Sequence, residues 1–240
     1  MKKICILAVL LLTCFMTFAY AQTEEAWKNE VSLSYSQATG NTKNSKLVSA
    51  YEGNRKTDAD ELNLKATTLY SSQNKKMDGQ KHTGSARYAP NFGDSQWYYF
   101  GKIEGEHDRF ANIDYRIIPS LGLGYWFSDT DDWKAQAEVG LGHEFVEYTD
   151  GSNDDNVSVI PRAYFEKAVF ENAKLSEELI FYPNLKEGDQ YRFRSETRFT
   201  NPLSDVMSLR VSFIDEFNSS PLGEAKKNDT QLLLSLVYSF

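Results

Sequence analysis

Almost every segment after residue 26 alternates between apolar and polar side chains with a period of two. Val31, Leu33 and Tyr35 alternate with serines, and the segment 207–213 repeats the pattern with Ser208, Arg210 and Ser212 between its apolar residues. Such alternation is typical of a β-strand with two different faces. No helical period of useful length competes with it. The pattern therefore predicts an all-β fold.

Twelve alternating runs are separated by segments rich in Gly, Asn, Asp and Ser. The runs lie near 27–39, 45–53, 59–71, 80–90, 95–107, 113–127, 132–148, 156–170, 173–183, 189–201, 205–217 and 228–240. Strands of globular proteins are usually about 5 or 6 residues long, whereas tilted membrane-spanning strands need about 9–11. Single-chain outer-membrane barrels have an even number of strands. The runs predict a single antiparallel transmembrane β-barrel of about 12 strands.

Connections and aromatic residues extend this prediction. If the N-terminus is periplasmic, the connections after even strands are short turns, and the segments after strands three, seven and eleven are longer external loops. All four tryptophans then fall at the periplasmic end, and Tyr70, Tyr148, Tyr182 and Tyr191 fall at the other, as two aromatic belts. Pro119, Pro161 and the outward-facing Glu177 fit this arrangement poorly.

The N-terminus predicts export. Lys2 and Lys3 precede an apolar run, and the small-x-small triplet at 19–21 follows it, which is the pattern of a cleaved secretory signal. We expect residues 1–21 to be the signal peptide and 22–240 the barrel. The alternatives are a membrane-anchoring helix, for which the run is short, and a lipoprotein at Cys14, which Thr13 fits poorly.

Cysteine usage and charge exclude several classes of protein. Cys5 and Cys14 both lie in the predicted signal, so the mature chain has no disulfide to stabilise it. Lys2 and Lys3 leave with the signal, so 24 basic side chains face 34 acidic ones and the net charge becomes −10. Nucleic acid is therefore not expected as a partner. No mature segment is apolar enough for a membrane helix.

Charged residues collect on the polar face of several strands. A charge facing lipid at the midplane costs about 2–4 kcal/mol, so these side chains are expected to line the lumen. The predicted lumen-lining cluster is Arg162, Glu166, Arg192, Arg194, Glu196, Arg198 and Arg210. Glu61, Lys65, Lys102, Glu104, Lys134 and Glu138 carry the same pattern on strands three, five and seven. The cluster either braces the interior or forms a narrow channel for a small anionic solute.

No constellation of residues indicates catalysis, a metal or a cofactor. His82 and Ser85 are three residues apart in a strand and so lie on opposite faces. His143 is expected at a strand end. Asp150, Ser152 and Asp154 resemble the start of a calcium loop, but Pro161 occupies the position where a glutamate is required. We therefore expect no enzymatic activity, no cofactor and no metal.

Four segments resemble a known family. They are Gly40-Asn41-Thr42, "DYRIIPSLGLGYWF" at 114–127, "YRFRSETRFTNPLSDVMSLRVSF" at 191–213 and "NSSPLGEAKKNDTQLLLSLVYSF" at 218–240. Together they are similar to the salt-induced outer-membrane protein family of Gram-negative bacteria, a domain of unknown function. The resemblance covers nearly all of the mature chain. It implies an outer-membrane β-barrel and supplies no catalytic residue, substrate or cofactor.

The C-terminal strand ends on an aromatic residue. Leu236, Tyr238 and Phe240 alternate with smaller or polar residues, and this ending resembles the signal by which the barrel-assembly machinery recognises its clients. The strand must also pair with strand one to remove both open edges. Outer-membrane lipid and the assembly machinery are thus the expected partners.

The sequence leaves several functions open. The first is a non-enzymatic envelope or stress-adaptation barrel in the outer membrane. The others are a narrow small-solute or anion channel, an outer-membrane lipid hydrolase and a soluble periplasmic β protein.

Overall fold

The computed structural model describes residues 27–38, 44–170, 172–186, 188–221 and 226–240. Twelve strands make up almost all of them. They are β1 (Lys28–Ala38), β2 (Asn44–Lys56), β3 (Asp60–Gln73), β4 (Lys76–Pro90), β5 (Trp97–Asp108), β6 (Ile113–Asp129), β7 (Trp133–Tyr148), β8 (Asn153–Val169), β9 (Ala173–Pro183), β10 (Tyr191–Pro202), β11 (Met207–Asn218) and β12 (Asn228–Ser239). The predicted signal, residues 1–21, lies outside the described residues.

The strands form one closed antiparallel barrel in which each strand pairs with its neighbours in sequence and β1 pairs with β12. The closing ladder includes Leu33↔Leu236 and Ser34↔Ser235, and Asn29 and Phe240 exchange two backbone hydrogen bonds of 3.1 and 2.9 Å. The predicted all-β, twelve-stranded antiparallel barrel is confirmed. No helix among the described residues is long and apolar enough to cross a membrane.

The two faces of each strand carry different side chains because the period of a strand is two. On β1 and β12 the outward residues Val31, Leu33 and Leu234 are exposed apolar side chains. The inward residues Ser34 and Ser235 are buried, and their hydroxyl groups lie 2.5 Å apart. The outer wall is therefore apolar, and the polar side chains fill the inside.

The barrel has two ends, which we name by the chain termini. The terminal end holds the start of β1 and the end of β12, and the far end is the opposite rim. At the far end, β3 and β4 are joined by Asn74 and Lys75 alone, with φ of 51° and 67°. Positive φ at both central residues is typical of a type I′ hairpin turn. The long loop predicted after strand three is therefore wrong, because the two strands extend into that segment.

Two prolines lie on the outer wall where the ladders are interrupted. The β6–β7 register passes from Ile117↔Phe145 to Ser120↔Gly142 without a pair at Pro119. β8 pairs with β9 only from Arg162 onward, so the part of β8 before Pro161 pairs with β7 alone. Both prolines are tolerated because the missing N–H falls where a ladder stops.

Aromatic residues form a belt at the terminal end, with one exception. Trp97 and Tyr125 pack on the outer wall with ring centroids 4.9 Å apart. Trp126 instead points inward and packs on a buried cluster that contains Tyr98 and Phe100. At the far end, Tyr182 also points inward and is buried. The prediction that Trp126 and Tyr182 belong to membrane-facing belts is therefore wrong, because each falls on the inward parity of its strand.

Glycines on β6 make room for the inward aromatic cluster. Tyr98 is opposite Gly124 in the β5–β6 register. A Cβ on Gly124 would lie 2.1 Å from the Tyr98 ring. Tyr98 is 1% exposed, and its one hydroxyl proton is shared between the side-chain oxygens of Gln136 and Glu138, at 2.7 and 3.0 Å from the hydroxyl oxygen. The absence of a side chain at position 124 thus allows the ring to reach these acceptors.

We expect Gly124→Ala to destabilise the barrel by about 1–3 kcal/mol, because overpacking displaces the Tyr98 ring and its hydrogen bonds. Gly105→Ala is the matched control, since the nearest atom to a Cβ there is a backbone oxygen 4.0 Å away. Urea unfolding of the barrel refolded in lipid vesicles measures both. Equal unfolding midpoints for the two variants would show that the space at Gly124 is not required.

Candidate functional site: the lumen

Charged side chains of opposite sign fill much of the inside of the barrel. Many are joined to more than one partner, so that they form a continuous set that we call the lumen network. Its members are Glu52, Glu61, Lys81, Arg87, Glu106, Arg116, Glu138, Glu144, Arg162, Glu178, Arg192, Arg194, Glu196, Arg198 and Glu216. Anions and cations alternate along it, so the charge of each group is offset by its neighbours.

Glu138 of β7 lies at the centre of one branch. Its carboxylate pairs with Arg87 of β4 and, at 3.2 Å, with Arg162 of β8. Arg162 in turn pairs with Glu178 of β9 at 2.6 Å. The Glu138 side chain is only 2% exposed. A buried carboxylate of this kind depends on its cations, because its hydration has been lost.

A second branch follows β10 and then crosses the lumen to β2. Arg194 and Arg198 both pair with Glu196, which lies between them on the same face. Arg198 also pairs with Glu52 of β2 at 2.8 Å. β2 and β10 are not neighbours in the barrel. This ion pair therefore spans the lumen instead of running along one wall.

Further pairs cross the lumen toward the far end. Lys81 of β4 binds Glu216 of β11 at 2.8 Å, although several strands separate these two on either side of the barrel. Arg192 of β10 binds Glu144 of β7 at 2.6 Å. The Tyr182 hydroxyl of β9 donates a hydrogen bond to Glu104 of β5 at 3.2 Å. These contacts join strands that are not neighbours, so side chains occupy the interior between them.

Aromatic rings narrow the lumen at the terminal end. The guanidinium of Arg87 lies 5.4 Å from the Tyr98 ring centroid and 5.5 Å from that of Phe100. The Lys56 ammonium lies 4.6 Å from the Trp126 ring centroid. All three distances are within the range of cation–π attraction. These contacts connect the inward aromatic rings to Arg87 of the lumen network and to Lys56.

The structure places all seven residues of the predicted lumen cluster on the inward parity of their strands. Arg162, Arg192, Arg194, Glu196 and Arg198 belong to the lumen network. The other two lie nearer the terminal end and have separate partners. Arg210 binds Glu30 of β1 at 2.6 Å, and Glu166 binds Lys174 at 3.2 Å and accepts a hydrogen bond from Tyr164 at 2.8 Å.

Sequence reasoning missed several acidic partners. Glu178 enters the lumen because it has the opposite parity to Glu177, which lies on the outer wall and accepts a hydrogen bond from Thr197. Glu52 and Glu144 also alternate with outward residues. Parity along each strand would have placed all three inside. The pattern could not show which arginine each of them meets.

The histidines do not form a catalytic group with a nucleophile among the described residues. His82 and His107 are stacked on the outer wall with centroids 6.0 Å apart, whereas Ser85 has the inward parity. His143 stacks on Phe145 and contacts Asp155 at 3.2 Å. Chemistry of the hydrolase type requires a nucleophile and base within hydrogen-bond reach.

The candidate calcium segment is a tight turn. The hydroxyl and the backbone N–H of Ser152 donate hydrogen bonds to Asp150 at 2.6 and 2.9 Å. These two donors hold the pKa of the exposed Asp150 carboxyl below its ordinary value. Among the described residues, no group of three or more His, Cys, Asp or Glu side chains is placed to hold a metal ion.

Comparison with known proteins places the chain in a family. The family model described as "Protein of unknown function, DUF481" matches residues 31–240. No curated protein matches the sequence.

Several solved structures share the fold at low sequence identity. The COG4313 outer membrane channel from Pseudomonas putida F1 is 12% identical, with 92% of this chain and 97% of that chain covered and a TM-score of 0.56. The KdgM porin is 11% identical, with 89% and 99% covered and a TM-score of 0.51. The translocator domain of the autotransporter NalP from Neisseria meningitidis is 12% identical, with 99% and 96% covered and a TM-score of 0.50. At these identities the similarity shows the fold alone.

Proposed function

We propose that this chain, which belongs to the protein family of unknown function DUF481, is a non-enzymatic barrel of the outer membrane whose lumen is closed by ion pairs to all but small ions. The observation that carries the proposal is the set of pairs that cross the lumen, above all Lys81–Glu216 and Arg198–Glu52. A solute moving along the axis would have to separate these charges.

Location in the outer membrane is part of this proposal. The apolar outer wall, the aromatic belt at the terminal end and the closed antiparallel ladder are the features that lipid requires of a spanning β structure. The similar fold of outer-membrane barrels supports it. Outer-membrane lipid is then the first partner of the exposed apolar side chains, and recovery in the soluble periplasm on cell fractionation would contradict it.

Bracing explains the lumen better than conduction. Twelve strands lie between the size at which side chains fill a barrel and the size at which a water-filled channel remains. Each ion pair across the lumen replaces water with a side chain from the opposite wall. Such pairs also resist flattening of the barrel, because a change of its cross-section alters the distance between opposite strands.

We expect the purified barrel in a planar bilayer to show low single-channel conductance, and Lys81→Ala/Glu216→Ala to raise it at least about twofold by removing one obstruction across the lumen. The matched control is Arg210→Ala/Glu30→Ala, which removes an ion pair between β11 and β1, two strands that flank β12. A large conductance in the unmodified protein, or no difference between the two double variants, would contradict a lumen closed by crossing pairs.

A narrow anion channel is the second candidate, because arginines are concentrated on one part of the wall. Arg192, Arg194 and Arg198 share the inward face of β10 with a single carboxylate, Glu196, and Arg162 faces inward on β8. A small anionic solute would be attracted by such a stripe if the paired carboxylates let it approach. Two similar structures are described as a porin and a channel.

If this second function holds, alanine at Arg192, Arg194 and Arg198 lowers the anion-to-cation permeability ratio. The ratio follows from the reversal potential across a bilayer with a salt gradient. Alanine at Lys134, which lies on the inward face of β7, should change the ratio less because one charge is removed instead of three. An unchanged permeability ratio in the arginine variant would contradict the anion channel. The arginines would then serve only to brace the barrel.

We propose further that the protein acts in adaptation of the envelope to salt or related stress. The resemblance of its segments to the salt-induced outer-membrane family supports this role. A barrel whose lumen is closed by ion pairs can be inserted into the membrane under salt stress without opening a new path for ions. A strain lacking the protein should grow more slowly than its parent at raised NaCl, and equal growth together with unchanged protein levels on salt addition would contradict the proposal.

A further inference from the structure

The seam between β1 and β12 is joined along only part of its length. Its ladder runs from Asn29 and Phe240 to Ser34↔Ser235, although β1 continues to Ala38 and β12 begins at Asn228. In the stretch where β1 and β12 are not paired with each other, each of them is still paired with its neighbour on the other side. β1 stays paired with β2 as far as Ala38↔Asn44, and β12 stays paired with β11 as far as Phe217↔Asn228. Among the described residues, no ladder pair therefore joins β1 to β12 between Ser34↔Ser235 and the far end, and we call this stretch the gap.

This gap differs from the end of the β8–β9 ladder near Pro161. There the chain after β9 folds over the edge, and the Leu185 N–H donates to the Val157 carbonyl at 3.1 Å. Lys186 also binds Asp155 at 2.9 Å. No cross-strand pair of this kind joins residues 36–38 to residues 231–233 within the described parts of β1 and β12.

The gap opens onto the lipid-facing side of the wall. Leu232 and Leu234 on β12 are 72% and 58% exposed, and Tyr35 is exposed on the facing strand. Gln37 would pair with Leu232 if the register continued, but the ladder ends at Ser34↔Ser235. The backbone groups of Gln37 and Leu232 therefore do not pair with each other. Unpaired backbone groups at membrane depth are costly unless a polar group or water reaches them. A polar group in the gap would satisfy these backbone groups.

A lysine lies directly behind the gap. Lys46 of β2 is opposite Ser36 in the β1–β2 register. Its ammonium donates to the amide oxygen of Gln231 on β12 at 3.4 Å. The Lys46 side chain therefore passes the small Ser36 side chain of β1 and reaches the next strand. Within the described residues no carboxylate forms an ion pair with Lys46.

We propose that the gap between β1 and β12 is a lateral binding site for a single-chain anionic amphiphile from the surrounding lipid. Its anionic head binds the Lys46 ammonium, with Ser36 and Gln231 as further hydrogen-bond partners. Its tail leaves between Tyr35 and Leu232. A paired ladder holds neighbouring backbones about 4.8 Å apart, which leaves no room between them, so the tail requires the two strands to separate beyond that spacing. Loss of this single ladder gives a narrow opening, which favours one alkyl chain over two. The site does not depend on conduction along the barrel axis.

Binding of a fluorescent fatty acid tests the proposal. The probe is 11-(dansylamino)undecanoic acid, added to the full mature barrel in a neutral detergent and followed by its emission. Lys46→Gln is expected to weaken binding at least about tenfold, as for the loss of one charge-assisted hydrogen bond. Lys134→Gln is the matched control, since it removes an inward lysine from β7, on the wall opposite β1, and should leave the affinity unchanged.

Two further measurements fix the ligand class and the place. The methyl ester of the probe should bind about as weakly to the unmodified barrel as the acid binds to Lys46→Gln, and phosphatidylglycerol, which has two chains, should not displace the acid. Ser36→Phe, which fills the space behind the gap, should also abolish binding while heat-modifiable gel mobility shows a folded barrel. Equal affinity of Lys46→Gln and Lys134→Gln, or full binding by Ser36→Phe, would overturn the proposal.

The opening itself is measured by disulfide formation, because residues 22–240 contain no cysteine. Ser34→Cys/Ser235→Cys lies in the joined part of the seam, where the two hydroxyl groups are 2.5 Å apart. It should oxidise readily. Ser36→Cys/Leu233→Cys lies in the gap and should stay reduced under the same conditions. Equal oxidation of the two pairs would show a closed seam and overturn the site.

Discussion

Replacing Glu138 with glutamine is expected to lower the free energy of unfolding by about 3 kcal/mol, one of the two largest effects we predict for this protein. The Glu138 carboxylate pairs with Arg87 and Arg162 and accepts a hydrogen bond from Tyr98. Glutamine keeps the shape but removes the charge, so two largely buried guanidinium groups lose their central anion. Removing one partner of a buried ion pair typically costs about 3–5 kcal/mol.

Glu166→Gln is the matched control for this prediction. It is the same substitution on another inward strand face, but its cation, Lys174, has a half-exposed side chain. Partly exposed ion pairs contribute about 1 kcal/mol or less. Urea unfolding in lipid vesicles compares the two variants. A loss for Glu138→Gln no larger than that for Glu166→Gln would show that the lumen network adds little to stability.

A double variant separates the charge from the packing. Glu138→Leu/Arg87→Met removes an anion and a cation together, and apolar replacements of buried pairs are often neutral. We expect it to be more stable than Glu138→Gln. If it is less stable, the importance of Glu138 lies in its hydrogen bond with Tyr98 more than in its charge.

Deletion of Phe240 is expected to lower the amount of assembled barrel in the outer membrane about tenfold, the other large effect. Phe240 is 61% exposed on the outer wall and stacks on Tyr238 with centroids 5.8 Å apart. Its side chain therefore adds little to the finished barrel, so the predicted loss arises from recognition by the assembly machinery through Leu236, Tyr238 and Phe240. Membrane levels measured by immunoblotting after cell fractionation give the result.

The refolded protein provides the comparison. When the protein is refolded without the assembly machinery, the free energy of unfolding of the chain lacking Phe240 should lie within about 1 kcal/mol of that of the full chain. Only the terminal backbone pair with Asn29 is removed. Phe240→Tyr should assemble normally, since it keeps a terminal aromatic ring. Unchanged membrane levels after the deletion, or an equally large loss of stability in vitro, would contradict a role as an assembly signal.

Strand number and the two faces were predictable because both depend on a local period. Side chains of a strand alternate whatever the strand pairs with, so residues 207–213 and 231–240 showed their outer faces without any knowledge of their neighbours. Failures of the pattern were also local. Asn74 and Lys75 form a two-residue turn that polar composition alone could not distinguish from a loop. The level of Trp126 and Tyr182 along the barrel predicts aromatic belts, whereas the parity of each on its strand places it inside.

The sequence by itself therefore determined the closed twelve-stranded barrel and which charged residues face inward. Only the tertiary structure decided that Lys81 meets Glu216 and Arg198 meets Glu52, and that β1 leaves β12 beyond Ser34. The physical reason is one of distance along the chain. Alternation acts between adjacent residues, whereas contacts across a lumen and the length of a seam depend on the curvature and stagger of all twelve strands together.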